Sequence, residues 1–122
     1  MVLVTANKAK QLLVITFAGR VEVDQIREES KDIAALLVEF EPGFRVLADL
    51  TPLESMSVDC APEIAKVMDL CAEKGVKMIV RVIPDPATDI GFNILTRFHY
   101  PHSVRSVVCE TLVEAGKLLG FA

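Results

Sequence analysis

Two aspartates in this sequence stand where α/β proteins commonly place their chemistry. Asp49 lies near the end of the apolar segment Phe44–Leu50, and Asp59 opens the helix predicted after it. A carboxylate at the carboxyl end of a strand could accept a phosphoryl group or act as a general base, because open α/β sheets bind ligands at that edge. We favour a structural role for Asp49, which would hydrogen-bond the loop predicted over Thr51–Met56.

Asp59 could cap its helix. A helix N-terminus attracts anions, because its first N–H groups are unpaired and the helix dipole is positive there. The carboxylate of Asp59 would fill that position and accept a hydrogen bond from Ala61, which disfavours a phosphate site. Ser55 and Ser57 lie beside the helix start and could be phosphorylated, although we favour ordinary loop serines.

Arg81 interrupts the otherwise apolar strand predicted over Val76–Ile83. A buried guanidinium must be paired, because removing its charge from water is costly. We therefore expect Arg81 to point towards solvent or to meet a carboxylate. If it reaches the strand end beside Asp85, it could instead hold an anionic ligand through two parallel hydrogen bonds.

No complete catalytic or metal-binding motif accompanies these residues. His99 and His102 could ligate a metal together with Cys109 or a carboxylate, but a structural site needs about four ligands. We expect both histidines to lie in a turn caused by Pro101. The sequence contains no Ser/His/Asp arrangement, glycine-rich phosphate loop or histidine-rich motif, so we expect neither an enzyme, a metal site nor a cofactor.

The composition indicates one acidic domain over residues 1–122 with a high apolar content. Apolar residues make up 52% of the sequence and mean hydropathy is +0.41, above the usual apolar share of about 45–50%. The excess could fill a sheet covered on both faces, form a homodimer interface or line a ligand pocket. A net charge of −4 and a pI near 5.1 oppose nucleic-acid binding, which needs clustered basic residues.

The sequence predicts a cytoplasmic protein. Its longest apolar stretch, Leu12–Ala18, is far shorter than the roughly 20 residues that cross a bilayer, and no signal-peptide pattern begins the chain. Cys60, Cys71 and Cys109 lack Cys-x-x-Cys spacing and lie among apolar residues. We expect them to be reduced core thiols in a reducing compartment.

Apolar spacing predicts strands and helices in the order ββαβαβαβα, which is an α/β class. Val2–Thr5 and Leu12–Phe17 would form an antiparallel hairpin, with Gly19 ending the second strand. The three later crossovers imply a mixed, mostly parallel sheet. The first helix has one face whose residues alternate in spacings of three and four; these are Val23, Ile26, Ser30, Ile33, Leu37 and Phe40.

Three more helices are predicted in the second half of the chain. The second helix opens at Asp59 and closes at Gly75, and the third begins at Thr88 or Asp89. The last follows the strand 104–109 and begins with the capping-box spacing of Thr111 and Glu114. Their apolar faces are Ile64, Val67, Met68, Cys71 and Ala72 in the second, Ile90, Ile94, Leu95 and Phe98 in the third, and Leu112, Ala115, Leu118 and Leu119 in the last.

The segment Asp49–Cys60 reads Asp-Leu-Thr-Pro-Leu-Glu-Ser-Met-Ser-Val-Asp-Cys. It resembles, without a gap, the pattern Asp-Leu-Ser-Gly-Val-x-x-Ile-Asp-Ser-Ser-Gly of the STAS family, the domain of bacterial anti-sigma-factor antagonists and of the cytoplasmic ends of sulfate transporters. Only Asp49 and Leu50 are identical to the pattern, but the order of elements also matches over nearly the whole chain. The resemblance implies a STAS-like fold and a regulatory role through a protein partner.

The same alignment places Asp59 on the serine that the family phosphorylates. Ser57 falls on the family's second aspartate, Val58 on its first serine and Cys60 on its glycine. Family antagonists switch when the serine gains a phosphate of about −2 charge, whereas Asp59 has no hydroxyl to modify. Asp59 could be a permanent mimic of the phosphorylated serine, although we favour a plain helix cap. The resemblance therefore implies a module that lacks this switch.

Two functions remain open at this point. One is docking of a protein partner through a mixed apolar and acidic surface, formed by Leu53, Glu54, Met56, Ser57, Val58, Asp59 and Glu63. The other is a small-molecule or lipid carrier, since related folds bind such ligands. Its apolar pocket would lie between the sheet and the third helix, lined by Phe92, Leu95, Phe98 and Tyr100. An anionic ligand would instead involve Asp49 or Arg81.

Overall fold

The computed structural model describes residues 1–83 and 104–120 of the chain. Its strands are β1 (Val2–Asn7), β2 (Leu12–Phe17), β3 (Gly19–Val21), β4 (Arg45–Asp49), β5 (Leu53–Met56), β6 (Met78–Val82) and β7 (Arg105–Cys109). Its helices are α1 (Val23–Leu37), α2 (Cys60–Glu73) and α3 (Leu112–Leu118). The third helix of the sequence prediction, which would begin at Thr88 or Asp89, lies outside the described residues.

A five-stranded sheet with the order β1-β2-β4-β6-β7 forms the centre of the fold. β1 pairs with β2 in antiparallel orientation, and every later pair in this sheet is parallel. Parallel neighbours need a crossover connection, which α1 provides between β2 and β4 and α2 provides between β4 and β6. The predicted antiparallel hairpin and mostly parallel sheet are both confirmed.

Helices α1 and α2 cover one face of this sheet. Leu13, Val46 and Ile79 lie side by side on β2, β4 and β6 and belong to the larger of two buried apolar clusters. The helices add residues spaced one turn apart, because a stripe with a period near 3.6 stays on one side of a helix. These are Ile26, Ile33 and Leu37 from α1 and Ile64, Met68 and Cys71 from α2.

Helix α3 packs on the opposite face, over β6 and β7. Thr111 Oγ1 accepts a hydrogen bond from Glu114 N at 3.2 Å, which confirms the predicted start of this helix. Ala115 and Leu119 are buried, but Leu112 is 49% exposed and Leu118 is 36% exposed. A seven-residue helix spans only about two turns, so only part of its predicted apolar face reaches the sheet.

Two short strands were not predicted. β3 and β5 pair in parallel as a separate two-stranded sheet, with Gly19 opposite Leu53 and Val21 opposite Met56. The segment Thr51–Met56, predicted as a loop, therefore contains a strand. Strands of three and four residues are too short to show an alternation of apolar and polar residues, which is the signal that sequence reading relies on.

All three cysteines are buried and free, as the sequence predicts. Burial raises the pKa of Cys71 to about 12, so this thiol stays protonated at neutral pH. Among the helices of the described residues, none is long and apolar enough to cross a membrane.

Candidate protein-docking site

The connection that leaves β4 begins with the carboxylate of Asp49. Its Oδ1 accepts a hydrogen bond from the backbone N–H of Thr51 at 2.9 Å, and the side chain is buried. The next residue, Leu50, donates its backbone N–H to the carbonyl of Val82 on β6. Asp49 therefore shapes the turn that follows the strand, which is the structural role favoured from the sequence.

Ser57 holds the start of α2 in place. Its backbone N–H donates to the carbonyl of Val21 on β3 at 3.1 Å, and its own carbonyl accepts from Cys60 N at 3.0 Å. Its side-chain Oγ accepts a hydrogen bond from the backbone N–H of Asp59 at 3.3 Å. Ser57, which sequence reading treated as an ordinary loop residue, thus ties the helix start to β3 through its backbone and supports that start through its side chain.

Asp59 occupies the N-cap position of α2, as predicted, but its carboxylate makes no capping hydrogen bond. Ala61 N, the donor expected for it, bonds instead to the carbonyl of Val58 at 3.2 Å. A capping side chain reaches the helix from an extended backbone, whereas Asp59 is already helical at φ −65° and ψ −15°. The predicted cap was wrong, and the carboxylate is left exposed to solvent.

Val58 is the apolar side chain that this site presents to solvent. It is 88% exposed, between Ser57 and Asp59 at the start of α2. Leu53 and Met56, which were predicted to share the same surface, are half-buried and pack against the larger apolar cluster. The apolar part of the site is therefore narrower than the sequence suggested.

Glu63 is only 12% exposed and is held by two cations. Arg27 Nε on α1 lies 3.3 Å from Glu63 Oε1, and Lys66 Nζ on α2 lies 3.2 Å from it. The hydrogen bond from Lys66, followed by that from Arg27, lowers the pKa of Glu63. The negative charge of Glu63 is therefore neutralised by cations of the same chain. The acidic groups that the site exposes to solvent are Glu54 and Asp59.

Solved structures share this architecture at low sequence identity. An uncharacterised DUF3478-family protein with a SpoIIAA-like fold, from Shewanella loihica PV-4, has a TM-score of 0.71 and 16% identity, covering 98% of this chain and 92% of that one. The anti-sigma factor antagonist SpoIIAA in its unphosphorylated form has a TM-score of 0.67 and 13% identity, with 100% of both chains covered. An anti-sigma factor antagonist from Mycobacterium paratuberculosis has a TM-score of 0.60 and 17% identity, covering 98% and 93%.

The chain has a STAS-like fold. The resemblance drawn from Asp49–Cys60 is confirmed at the level of fold by these three structures. No protein-family model matches the sequence, and no curated protein matches it either. In this STAS-like domain the segment 57–59 joins β5 to α2, and Val58 and Asp59 are both exposed there.

Arg81 is buried inside the central sheet. It is 3% exposed within β6, so the prediction that it could point outwards was wrong. Arg81 lies opposite Ala48 of β4, on the face covered by α1 and α2. Both residues line a cavity of about 60 Å³ between that face and the two helices. The other expectation, a position beside Asp85, involves a residue outside the described part of the chain.

The remaining predicted site residues lie in the segment 84–103, outside the described residues. They are Phe92, Leu95, Phe98 and Tyr100 of the expected carrier pocket, and His99 and His102 of the weak metal hypothesis. Within residues 1–83 and 104–120, no group of three or more His, Cys, Asp or Glu side chains could hold a metal ion.

Proposed function

We propose that this chain is a cytoplasmic, non-enzymatic regulatory module that docks a protein partner through the start of α2 and lacks a phosphoserine switch. The observation that carries the proposal is the exposure of Val58, at 88%, directly beside the exposed carboxylate of Asp59. The antagonists among the structural neighbours support a regulatory role, and Asp59 stands where the family pattern has a phosphorylatable serine.

The site is held in one shape before any partner arrives. Ser57, the residue before Val58, is bonded through its backbone N–H to β3. Arg27 and Lys66 form ion pairs with Glu63 in the first turn of α2. A rigid surface loses little conformational entropy on binding, so more of its contact energy appears as affinity. Full burial of one valine side chain contributes about 1.5–3 kcal/mol, which is enough for Val58 to act as a small apolar anchor.

The charges around Val58 indicate the partner's character. Glu54 and Asp59 are both exposed, so a partner with Lys or Arg around an apolar hollow would match them. Such complementary charges mainly increase specificity and association rate.

A comparison of variants tests this surface. Val58→Asp and Asp59→Lys should each reduce recovery of a partner in pull-downs from the native cell. Val38→Asp is the matched control, because Val38 is also an exposed valine, at 73%, but follows the end of α1. Equal recovery by all three variants and the unchanged chain would reject the proposed surface, and phosphate on Ser55 or Ser57 in the recovered protein would contradict the lack of a switch.

A further inference from the structure

We infer that the outer edge of β1 receives an extended segment of a partner protein, in which basic and apolar side chains alternate, as an added strand of the central sheet. β1 lies at one end of the strand order of the described sheet, with β2 as its neighbour. Addition of a strand to an open sheet edge is a common mode of peptide recognition. This edge is separate from the docking site at the start of α2, so a result at one surface does not decide the other.

Three residues of β1 direct their backbone groups away from β2. Met1 and Ala18 exchange two backbone hydrogen bonds, of 2.6 and 2.8 Å, immediately before the first residue pair of the β1–β2 ladder. Because bonded and non-bonded pairs alternate in an antiparallel ladder, every second residue of β1 points its N–H and C=O outwards. These residues are Val2, Val4 and Ala6. Within residues 1–83 and 104–120, no hydrogen bond to another segment satisfies those groups.

β1 lacks the features that usually protect the edge of a sheet. Natural edge strands carry charged side chains, proline or a bulge, which prevent another strand from pairing there. The segment Val2–Asn7 contains no charged residue and no proline, and its register with β2 is regular throughout. The strand at the other end of the described sheet, β7, begins with the exposed Arg105. β1 is therefore the edge that is open to an added strand.

The face of β1 turned away from α1 leaves an apolar side chain uncovered. Val2 and Val4 pack against the larger apolar cluster under the helices, so Leu3 between them lies on the opposite face. Leu3 is 49% exposed. A strand added to β1 would place every second side chain within reach of Leu3, so apolar residues fit at those positions of the partner.

On the other face, the partner's side chains would lie beside an acidic flank of α1. This helix lies over β1, and Glu29 lines the same cavity as Val2. Arg27 is on the flank of α1 that meets α2, and Glu29 is on the opposite flank, because two positions along a helix differ by about 200°. Asp32 follows Glu29 by almost one turn and is exposed.

These carboxylates indicate the charge of the partner. Burial raises the pKa of Glu29, and the charge of Asp32 raises it further. A Lys or Arg side chain nearby would favour the ionised form of both groups, so basic residues fit at the positions that face α1. A second copy of this chain, paired antiparallel along β1, would bring two acidic flanks together on one face, and like charges across an interface oppose binding.

Amide hydrogen exchange of the full chain, measured by NMR, tests the added strand. The probe is the blocked peptide Lys-Val-Lys-Val-Lys-Val-Lys. At about 1 mM peptide, the amides of Val2, Val4 and Ala6 should exchange at least about tenfold more slowly, because they acquire hydrogen-bond acceptors. Two control peptides should not slow them: one with Glu in place of every Lys, and a fully N-methylated version of the probe, which has no backbone N–H to donate.

Two sets of variants separate the backbone from the charges. Val4→Pro removes an outward N–H that an edge strand can lose without unfolding, and it should abolish the slowing at Val2 and Ala6. Val4→Thr keeps the N–H and should respond like the unchanged chain. Glu29→Gln combined with Asp32→Asn should weaken binding of the probe at least about threefold. Glu110→Gln, at an exposed position after β7, should not weaken it.

Several results would overturn the added strand. They are unchanged exchange at the three outward amides with the lysine peptide, equal slowing by either control peptide, and full binding by a folded Val4→Pro variant. If Val4→Pro does not fold, the N-methylated peptide decides in its place. A dimer in sedimentation experiments, with the Val4 amide already slow to exchange before peptide is added, would show that a second copy occupies the edge and would also overturn the inference.

Discussion

Arg27 of α1 donates from Nε to Oε1 of Glu63 in the first turn of α2, across 3.3 Å. Lys66 donates to the same oxygen from within α2. The two helices pack side by side over the sheet, and this carboxylate connects them at the end of α2 that carries the proposed docking site. Glu63, which the sequence analysis placed on the partner-docking surface, therefore helps to position that surface.

Replacing Glu63 by Gln should lower the melting temperature at pH 7. The pKa of Glu63 is lowered in the folded chain from its ordinary value of 4.5. The ion pairs therefore contribute stability above pH 4.5, and this contribution is lost as the pH falls through the folded pKa. The difference between Glu63→Gln and the unchanged protein should shrink towards zero in acid.

Melting curves recorded from pH 7 down to acid check this, with Glu54→Gln as the control. Glu54 is an exposed carboxyl on β5, and its substitution should change the melting temperature little at any pH. A loss in Glu63→Gln that is independent of pH would show that the carboxylate does not act through its charge.

Ser57→Ala should cost more stability than Asp59→Ala. The hydroxyl of Ser57 accepts from Asp59 N at 3.3 Å, whereas the carboxylate of Asp59 makes no capping hydrogen bond. We expect a loss of about 1 kcal/mol for Ser57→Ala, the usual net contribution of one hydrogen bond to stability. Asp59→Ala should lose less than about 0.5 kcal/mol, from the helix dipole alone.

Urea unfolding followed by circular dichroism measures both values. If Asp59→Ala proves the more destabilising of the two, the carboxylate caps the helix after all and the arrangement described for Ser57 is wrong.

Gly75→Ala should be more harmful than Gly120→Ala. Each glycine follows the C-cap residue of a helix and has a positive φ, +89° at Gly75 and +83° at Gly120. This backbone region costs other residues about 1–2 kcal/mol. A Cβ at Gly75 would also lie 3.0 Å from Cβ of Pro42, while one at Gly120 would meet nothing within 4 Å.

The expected losses in free energy of unfolding are about 2–4 kcal/mol for Gly75→Ala and about 1 kcal/mol for Gly120→Ala. Denaturant titration of the two variants gives the comparison directly. Equal losses would mean that Pro42 moves aside without cost.

The parts of the fold that sequence reading predicted well are those with a repeated pattern. The stripe of Ile26, Ile33 and Leu37 is buried along α1, and the spacing of Thr111 and Glu114 marks the start of α3. Both signals arise within one element, so the sequence contains them in full.

The parts that could not be predicted depend on contacts between distant segments. β3 forms because Gly19–Val21 meets β5 across more than thirty positions. The role of Ser57 depends on the carbonyl of Val21 in that same strand. The hydrogen bond from Asp59 N to the side chain of Ser57 was weakly indicated by the sequence, since a serine often bonds to the backbone two residues on. The cavity beside Ala48 likewise depends on which strands are neighbours, and no local pattern gives that order.

Ala48→Val should stabilise the protein. Ala48 lies in the central strand β4, between Ile15 and Arg81, and lines the cavity of about 60 Å³. Two added methyl groups would occupy part of that space and restore contacts that the void removes. Valine is also the better residue for a strand, because its branched side chain packs well on a pleated surface. Cavity filling commonly adds about 0.5–2 kcal/mol, so the midpoint of urea unfolding should rise.

The matched substitution Ala61→Val on α2 is exposed and should lower stability slightly, since valine forms helices less readily than alanine. A fall in the midpoint for Ala48→Val would mean that the cavity walls cannot accept the added volume, and it would show that the space beside Arg81 is smaller than its dimensions here indicate.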